Sequence, residues 1–262
     1  MKGDLMGNNA WSFCIVTSGS EDDSLREVIN SIEVEFCAHP YEIIIIGNTK
    51  IRPNNIKIRV VEFNEEIFSL NISNFFKNVF KLKLKKAIYR TGWITGKKNL
   101  SVRLAQYENV CLMHDYVKLQ PGWLSGFQNF TDDWLVCITK VSNKDGSRHR
   151  DWMTWDYPGV GAALLPYHIH VNYIYLSGAY FCVKKDFYLT NPLNEKLFWG
   201  EAEDVEWSCR VRNLTRFIIN TDSSVTYTKL KPLNEAPYCR DWVSRSEKLI
   251  KLLEIHSENP ST

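Results

Sequence analysis

The sequence predicts an α/β protein with a mixed, mostly parallel central sheet flanked by helices, built as a single domain. Three observations carry this. Apolar runs of strand length recur along the chain, and the first sixty residues read strand, helix, strand, strand. Parallel neighbours need crossover connections, so that order belongs to a parallel sheet. A short apolar run, Val110 to Met113, leads straight into His114-Asp115-Tyr116. Open α/β sheets bind ligands at the carboxyl ends of their strands, so this strand delivers an imidazole and a carboxylate to a ligand position. At 262 residues and 44% apolar composition, the chain can bury one large core.

Residues 1–10 carry no apolar segment of the kind a secretory leader needs and are expected to be a flexible N-terminus. The folded domain is expected over 11–240, with a nucleotide half near 11–118 and an acceptor half near 119–240, followed by a terminal helix and tail at 241–262. Trp11 to Thr17 is a buried strand closed by Ser18-Gly19-Ser20. Ser24-x-x-Glu27 reads as a capping box, and Leu25, Val28, Ile29, Ile32 and Phe36 follow helical spacing. Tyr41 to Ile46 and Ile58 to Phe63 are further strands, the first closed by Gly47-Asn48.

Residues 77–98 carry Lys77, Lys81, Lys83, Lys85, Lys86, Arg90, Lys97 and Lys98 without an acid. That pattern predicts a solvated helix face, a phosphate-attracting rim or a weak peripheral contact with anionic lipid. Leu100, Leu104 and Ala105 share a helical face, and Glu108-Asn109 end it. Trp123 to Phe130 is a short helix and Trp134 to Thr139 a buried strand.

Ser142 to Gly161 shows no clean period but holds Arg148, His149, Arg150, Trp152, Trp155 and Asp156. A loop of that length is expected to be mobile and to close over substrate. His168-Ile-His170 puts two imidazoles on one face of a strand, with no third ligand at metal spacing. Tyr175 to Lys184 reads as a strand interrupted by Gly178, and a strand glycine marks close approach of another group. Phe198-Trp199-Gly200 is a turn. The acids Glu201, Glu203 and Asp204 follow, then a helix face of Trp207, Val211 and Leu214. Arg216 to Asn220 is a last strand, and Ser246 to Ile255 an amphipathic helix.

A net charge of +2 gives no general attraction to nucleic acid. Seven cysteines without a C-x-x-C, four of them in apolar runs, predict reduced, buried thiols. No run approaches the ~18 apolar residues of a spanning helix. The expectation is a cytoplasmic protein, at most peripherally attached to a membrane. Aromatic residues make up 13% of the chain; they fit a ring-lined cleft and a tryptophan-rich core equally. The lysine pair, Asn99 and the strand-end Asp115 together suit a phosphorylated ligand with a divalent cation between phosphate and carboxylate.

Four blocks in order resemble GT-A glycosyltransferases of the inverting, family-2-like kind: F-C-I-V-T-S-G-S, G-K-K-N-L-S-V-R-L-A-Q-Y-E-N-V-C-L-M-H-D-Y, Y-L-S-G-A-Y-F-C-V-K-K and F-W-G-E-A-E-D-V-E-W-S-C-R. They span residues 11 to 214. The H-D and W-G…E-D pairing is also similar to the β-1,4-galactosyltransferases. The resemblance implies a GT-A fold and transfer of a sugar, with inversion, from a nucleotide-diphosphate sugar (expected to be a UDP-sugar) to a hydroxyl of a glycan or lipid-linked glycan, assisted by Mn²⁺ or Mg²⁺. It implies Asp204 as the general base and Asp115 with His114 at the metal. Thr17, Ser18, Gly19, Asn48, Lys98, Asn99, His114 and Asp115 would hold the donor. Trp199, Gly200, Glu203, Gly178, Trp152 and Trp155 would hold the acceptor. Three departures stand out. Gly47-Asn48 replaces an Asp-Asn, H-D-Y replaces D-x-D, and Thr226 to Leu230 has Tyr227 where relatives place a metal-binding histidine. These leave a non-catalytic sugar- or nucleotide-binding relative as an alternative. A nucleotidyltransferase is a second alternative, on the shared sheet, lysine and carboxylate chemistry.

Overall fold

The computed structural model describes residues 10–63, 92–130, 133–231 and 242–258. The expected flexible N-terminus and most of the basic 77–98 stretch lie outside the described residues, as does the membrane contact expected of that stretch.

The nucleotide half alternates strands and helices: β1 (Trp11–Val16), α1 (Asp22–Glu35), β2 (Tyr41–Ile46), β3 (Ile58–Val61), α2 (Ile94–Leu104) and β4 (Asn109–His114). Next come β5 (Val117–Leu119), α3 (Trp123–Asn129), β6 (Val136–Ser142), β7 (Met153–Tyr157), β8 (Gly161–Leu164), β9 (Ile174–Tyr175) and β10 (Tyr180–Lys184). The chain closes with α4 (Lys185–Thr190), α5 (Glu203–Val211), β11 (Phe217–Tyr227) and α6 (Trp242–Glu258). Eight strands form one sheet in the order β3-β2-β1-β4-β10-β6-β11-β5, and β8-β7-β9 form a small second sheet. In the large sheet β10 and β5 run against their neighbours, while β1, β2, β3 and β4 are parallel, as are β6 and β11. The carboxyl ends of β1, β4 and β11 therefore meet on one edge, next to the start of β10.

Strand burial explains the apolar runs. Every residue of β1 and of β2 is buried, because helices cover both faces. On α1, Leu25, Val28, Ile29 and Ile32 are buried as their spacing predicts. Each is worth about 1.5–3 kcal/mol of burial. The capping box is not formed. The helix begins at Asp22 without a side-chain cap. The Ser24 hydroxyl instead accepts from the Thr228 hydroxyl at 3.0 Å, and Glu27 pairs with Lys118 at 3.4 Å. Asp22 and Asp23 in the first turn complement the helix dipole.

The tryptophans divide. Trp11, Trp123, Trp152 and Trp207 are core residues, whereas Trp199 is 66% exposed. Trp11 packs edge-on to Trp123 and Phe127. Cys111, Cys182 and Cys137 sit opposite one another across β4, β10 and β6. Six described cysteines are free thiols. No described helix is long and apolar enough to cross a membrane.

Four further expectations are corrected. Ser142 to Gly161 is a turn and a hairpin rather than an irregular loop. The buried Asp151 organises it, accepting from Val141 N at 3.1 Å, Trp152 N at 2.6 Å, Arg148 Nε at 2.8 Å and the Tyr167 hydroxyl at 2.8 Å. His168 to His170 is a turn, not a strand, and His170 lies against Trp152 at 5.9 Å between ring centroids. Tyr175 to Lys184 is two strands, with Gly178 in the turn between β9 and β10. Leu214 lies beyond α5 and is 61% exposed.

Candidate active site

The site edge is assembled from two clusters. The first sits on the ends of β1 and β4. The Thr17 hydroxyl donates to Asp115 Oδ2 at 2.6 Å and accepts from Gly19 N at 2.9 Å. The Thr17 carbonyl accepts from Lys97 Nζ at 3.0 Å. Gly19 holds φ +82°, and a methyl group there would stand 1.9 Å from the Asn48 carbonyl oxygen. The turns after β1 and β2 thus touch through backbone alone, and only glycine permits it. Ser18 and Asn48 are exposed on these turns. Burial raises the Asp115 carboxyl above its ordinary value, and the Thr17 hydroxyl opposes that rise.

The second cluster surrounds Gly178. Its N–H donates to Asp204 Oδ2 at 2.8 Å, and its carbonyl accepts from Lys98 Nζ. A methyl group at Gly178 would lie 3.1 Å from Asp204 Cβ, 3.2 Å from Glu203 Oε1 and 3.2 Å from Lys98 Nζ. Asp204 and Glu203 open α5, and the preceding Ala202 has φ 59°. A non-glycine residue in the left-handed region carries strain, and such strain gathers at functional turns. The fully buried Lys98 has its pKa lowered by desolvation, against the pull of Glu203 and Asp204. Burial, then Asp204 beside it, raises the Glu203 carboxyl.

His114 joins the clusters. Its N–H donates to the Ala179 carbonyl at 3.0 Å, one residue from Gly178. Burial and the surrounding Lys98, Lys231, Lys229 and Lys97 hold its imidazole well below the usual range, so it is neutral. Its Nε2 is buried with no hydrogen-bond partner. Lys229 and Lys231 follow β11 directly. Their ammonium groups lie 4.4 Å and 4.5 Å from the centroid of the Tyr116 ring. These two lysines, with Tyr116, escaped the sequence reading. The signal was Tyr227-Thr-Lys-Leu-Lys, in the segment where a histidine was sought.

Not every expected residue faces this edge. Asn99 is a buried strut: it donates to the Leu193 carbonyl at 2.8 Å and accepts from the Tyr188 hydroxyl at 2.8 Å. Trp152 is 2% exposed and donates to the Ile169 carbonyl at 2.6 Å, which leaves no face for a sugar. Lys98 lies beneath Gly178 rather than in the open cleft. Glu203, 7% exposed, turns inward toward it. Trp155 stands edge-on to Tyr175, in the small cluster of Met153, Ala162 and Tyr175 against which Val205 also packs. Trp199 and Gly200 are exposed on the turn before α5, where Trp199 N donates to the Gly92 carbonyl at 3.0 Å.

A cleft of about 520 Å³ lined by His170, Asn172, Arg212, Thr215 and Arg216 adjoins Phe217. Phe217 begins β11, so this cleft lies at the opposite edge of the sheet from the two clusters.

No protein-family profile matches the chain, and no curated protein matches it in sequence. Solved structures do match in fold. The structure of S. aureus TarS 1–349 superposes with a TM-score of 0.56 at 13% identity, covering 84% of this chain and 60% of that one. The same protein in complex with UDP gives 0.55 at 13%, covering 83% and 60%. GalNAc-T7 with UDP, GalNAc and Mn²⁺ gives 0.52 at 13%, covering 86% and 44%. The chain thus spans well under two thirds of each of these chains. It has the GT-A fold these structures share: a mixed α/β domain with a large, mostly parallel sheet flanked by helices.

Proposed function

We propose that this protein is a nucleotide-sugar glycosyltransferase that inverts the anomeric centre, with Asp204 as general base. The observation that supports it best is the pairing of clusters through His114. Lys97, Lys229 and Lys231 outnumber Asp115 and Glu21 at the ends of β1, β4 and β11, and Glu203 and Asp204 outnumber the buried Lys98 at the start of α5. A transfer reaction needs that polarity. The acceptor oxygen forms a bond to the anomeric carbon as the bond to the diphosphate oxygen breaks. The electron pair leaves on the nucleoside diphosphate, and the acceptor proton passes to Asp204. Each Asp204 oxygen accepts one backbone N–H, from Gly178 and Val205. A carboxylate has about four acceptor positions, so a proton can still be taken.

The exposed Ser18 and Asn48, with Gly19 between them and the buried Thr17 beneath, form the rim where base and ribose would rest. Trp199 offers an open ring for a sugar acceptor, with Gly200 next to it on the same turn. Lys98, Glu203 and Gly178 position Asp204 rather than touch substrate. The UDP in two of the structural neighbours supports a UDP-sugar donor.

The Mn²⁺ or Mg²⁺ ion of the sequence expectation is not matched by this donor set. Asp115 is its one carboxylate, and the groups around His114 are lysines, whose charge repels a cation. Among the described residues no three His, Cys, Asp or Glu side chains gather to hold a metal. A non-catalytic binding role is the second reading, since Gly47 stands where the resemblance has a carboxylate.

The test compares wild type and Asp204→Asn. In wild type, proton NMR should show product of anomeric configuration opposite to the donor's. The variant should turn over about 10²–10⁴-fold more slowly, with unchanged UDP affinity. Retained configuration, or full activity in the variant, refutes the mechanism.

A further inference from the structure

We infer that Lys229 and Lys231, carried on the Tyr116 ring, take the negative charge of the donor's diphosphate in place of a resident metal ion. This rests on the nucleotide-sugar reading above and names the groups that would hold the leaving group.

The segment after β11 is fixed from two sides. Thr228 N donates to the Tyr116 carbonyl at 2.9 Å, and Lys231 N donates to Asn143 Oδ1 at 2.9 Å. His149, 4% exposed, hydrogen-bonds the backbone of Lys231 and packs on Tyr227 at 4.8 Å between ring centroids. Both ammonium groups are thereby brought to a single phenol ring. Lys229 Nζ also pairs with Glu21 at 3.1 Å, and Lys231 Nζ donates to the Tyr116 hydroxyl at 2.8 Å. Two ammonium groups on one ring repel each other, and the ring quadrupole and the single Glu21 carboxylate offset only part of that. An anion resting between them removes the repulsion.

A second, independent observation points the same way. His114 Nε2 is a buried polar atom without a partner, in an imidazole surrounded by Lys97, Lys98, Lys229 and Lys231. A buried group of that kind is costly unless something bonds it, and in the Nε2–H tautomer it can donate to a phosphate oxygen. The leaving diphosphate is the anion whose charge grows in the transition state, so fixed cations at this point lower the barrier without an ion.

The experiment measures binding of UDP and of inorganic pyrophosphate to the full chain by calorimetry, in EDTA and in Mn²⁺. It uses wild type, Lys229→Ala, Lys231→Ala and Lys231→Arg, with each variant's thermal unfolding checked. The inference predicts binding of both ligands in EDTA and about tenfold or greater weakening in either alanine variant. The weakening should be largely reversed in Lys231→Arg. UDP binding that requires Mn²⁺ and ignores the lysines overturns the inference and leaves the nucleotide reading standing. Lysine-dependent pyrophosphate binding with no added affinity for UDP supports the shelf and defeats the nucleotide reading. Failure of both ligands under both conditions overturns both.

Discussion

Gly178 is the residue on which the site turns. Its N–H holds Asp204, its carbonyl receives Lys98, and a methyl group beside it would be in tight contact with both. Gly178→Ala requires Asp204, Glu203 or Lys98 to give by a few tenths of an ångström. The expected result is a fall in kcat larger than any change in KM, with about 1–3 kcal/mol of lost stability from overpacking. An alanine variant with wild-type kcat would show that Gly178 does not position the base. The sequence exposed this residue as a glycine inside an apolar run but said nothing of what approached it. Asp115 was legible because it follows an apolar strand and ends it, whereas Asp204 opens a helix and was legible through the W-G…E-D resemblance. Lys98 was legible as a charge, but its burial was not, because burial depends on residues eighty positions away. Asn99 shows the opposite case. A polar residue beside two lysines reads as a ligand-binding group, yet its amide braces the chain at Leu193 and Tyr188.

At the scale of elements, apolar period carried the reading where helices cover strands, and failed where polar groups organise the chain. β1, α1, β2 and β4 follow from their apolar residues. β5, with three residues, pairs with the far end of β11, and no local pattern marks that partner. The latter half of β11 does not read as a strand, because the irregularity between Asn220 and Ser224 puts Thr221, Asp222 and Ser223 in its middle. Between β6 and β7 the organiser is Asp151, whose carboxylate is fully buried and paired with Arg148 at 2.8 Å. Its removal leaves the Val141 and Trp152 amides unsatisfied and Arg148 without its anion. Asp151→Ala is expected to lose about 3 kcal/mol in urea unfolding. A loss below about 1 kcal/mol would mean that apolar packing of Trp152, rather than the carboxylate, builds this hairpin.

At the scale of the whole molecule, the two clusters share one edge because β1, β4 and β11 end there while β10 begins there. That convergence binds stability to pH through His149, which anchors the lysine segment. Burial, with Arg150 and Lys231 nearby, pulls its pKa down to about 3. A histidine whose folded value lies below its unfolded 6.5 binds its proton more readily when unfolded. Its neutral form therefore costs nothing above about pH 6.5. Stability is lost progressively as pH falls from there toward about 3. His149→Phe keeps a ring against Tyr227 and removes the titration, so the variant's melting temperature should fall less steeply across that window. Parallel curves for the two proteins would remove His149 as the source. The central claim is that this edge moves a sugar off a nucleotide. The most direct measurement is release of UDP from a panel of UDP-sugars, with glycan acceptors present, by wild type and by Asp204→Asn. Release with at least one donor, stimulated by acceptor and lost in the variant, is the predicted result. Equal release by both proteins, or none from any donor in the panel, would contradict the account.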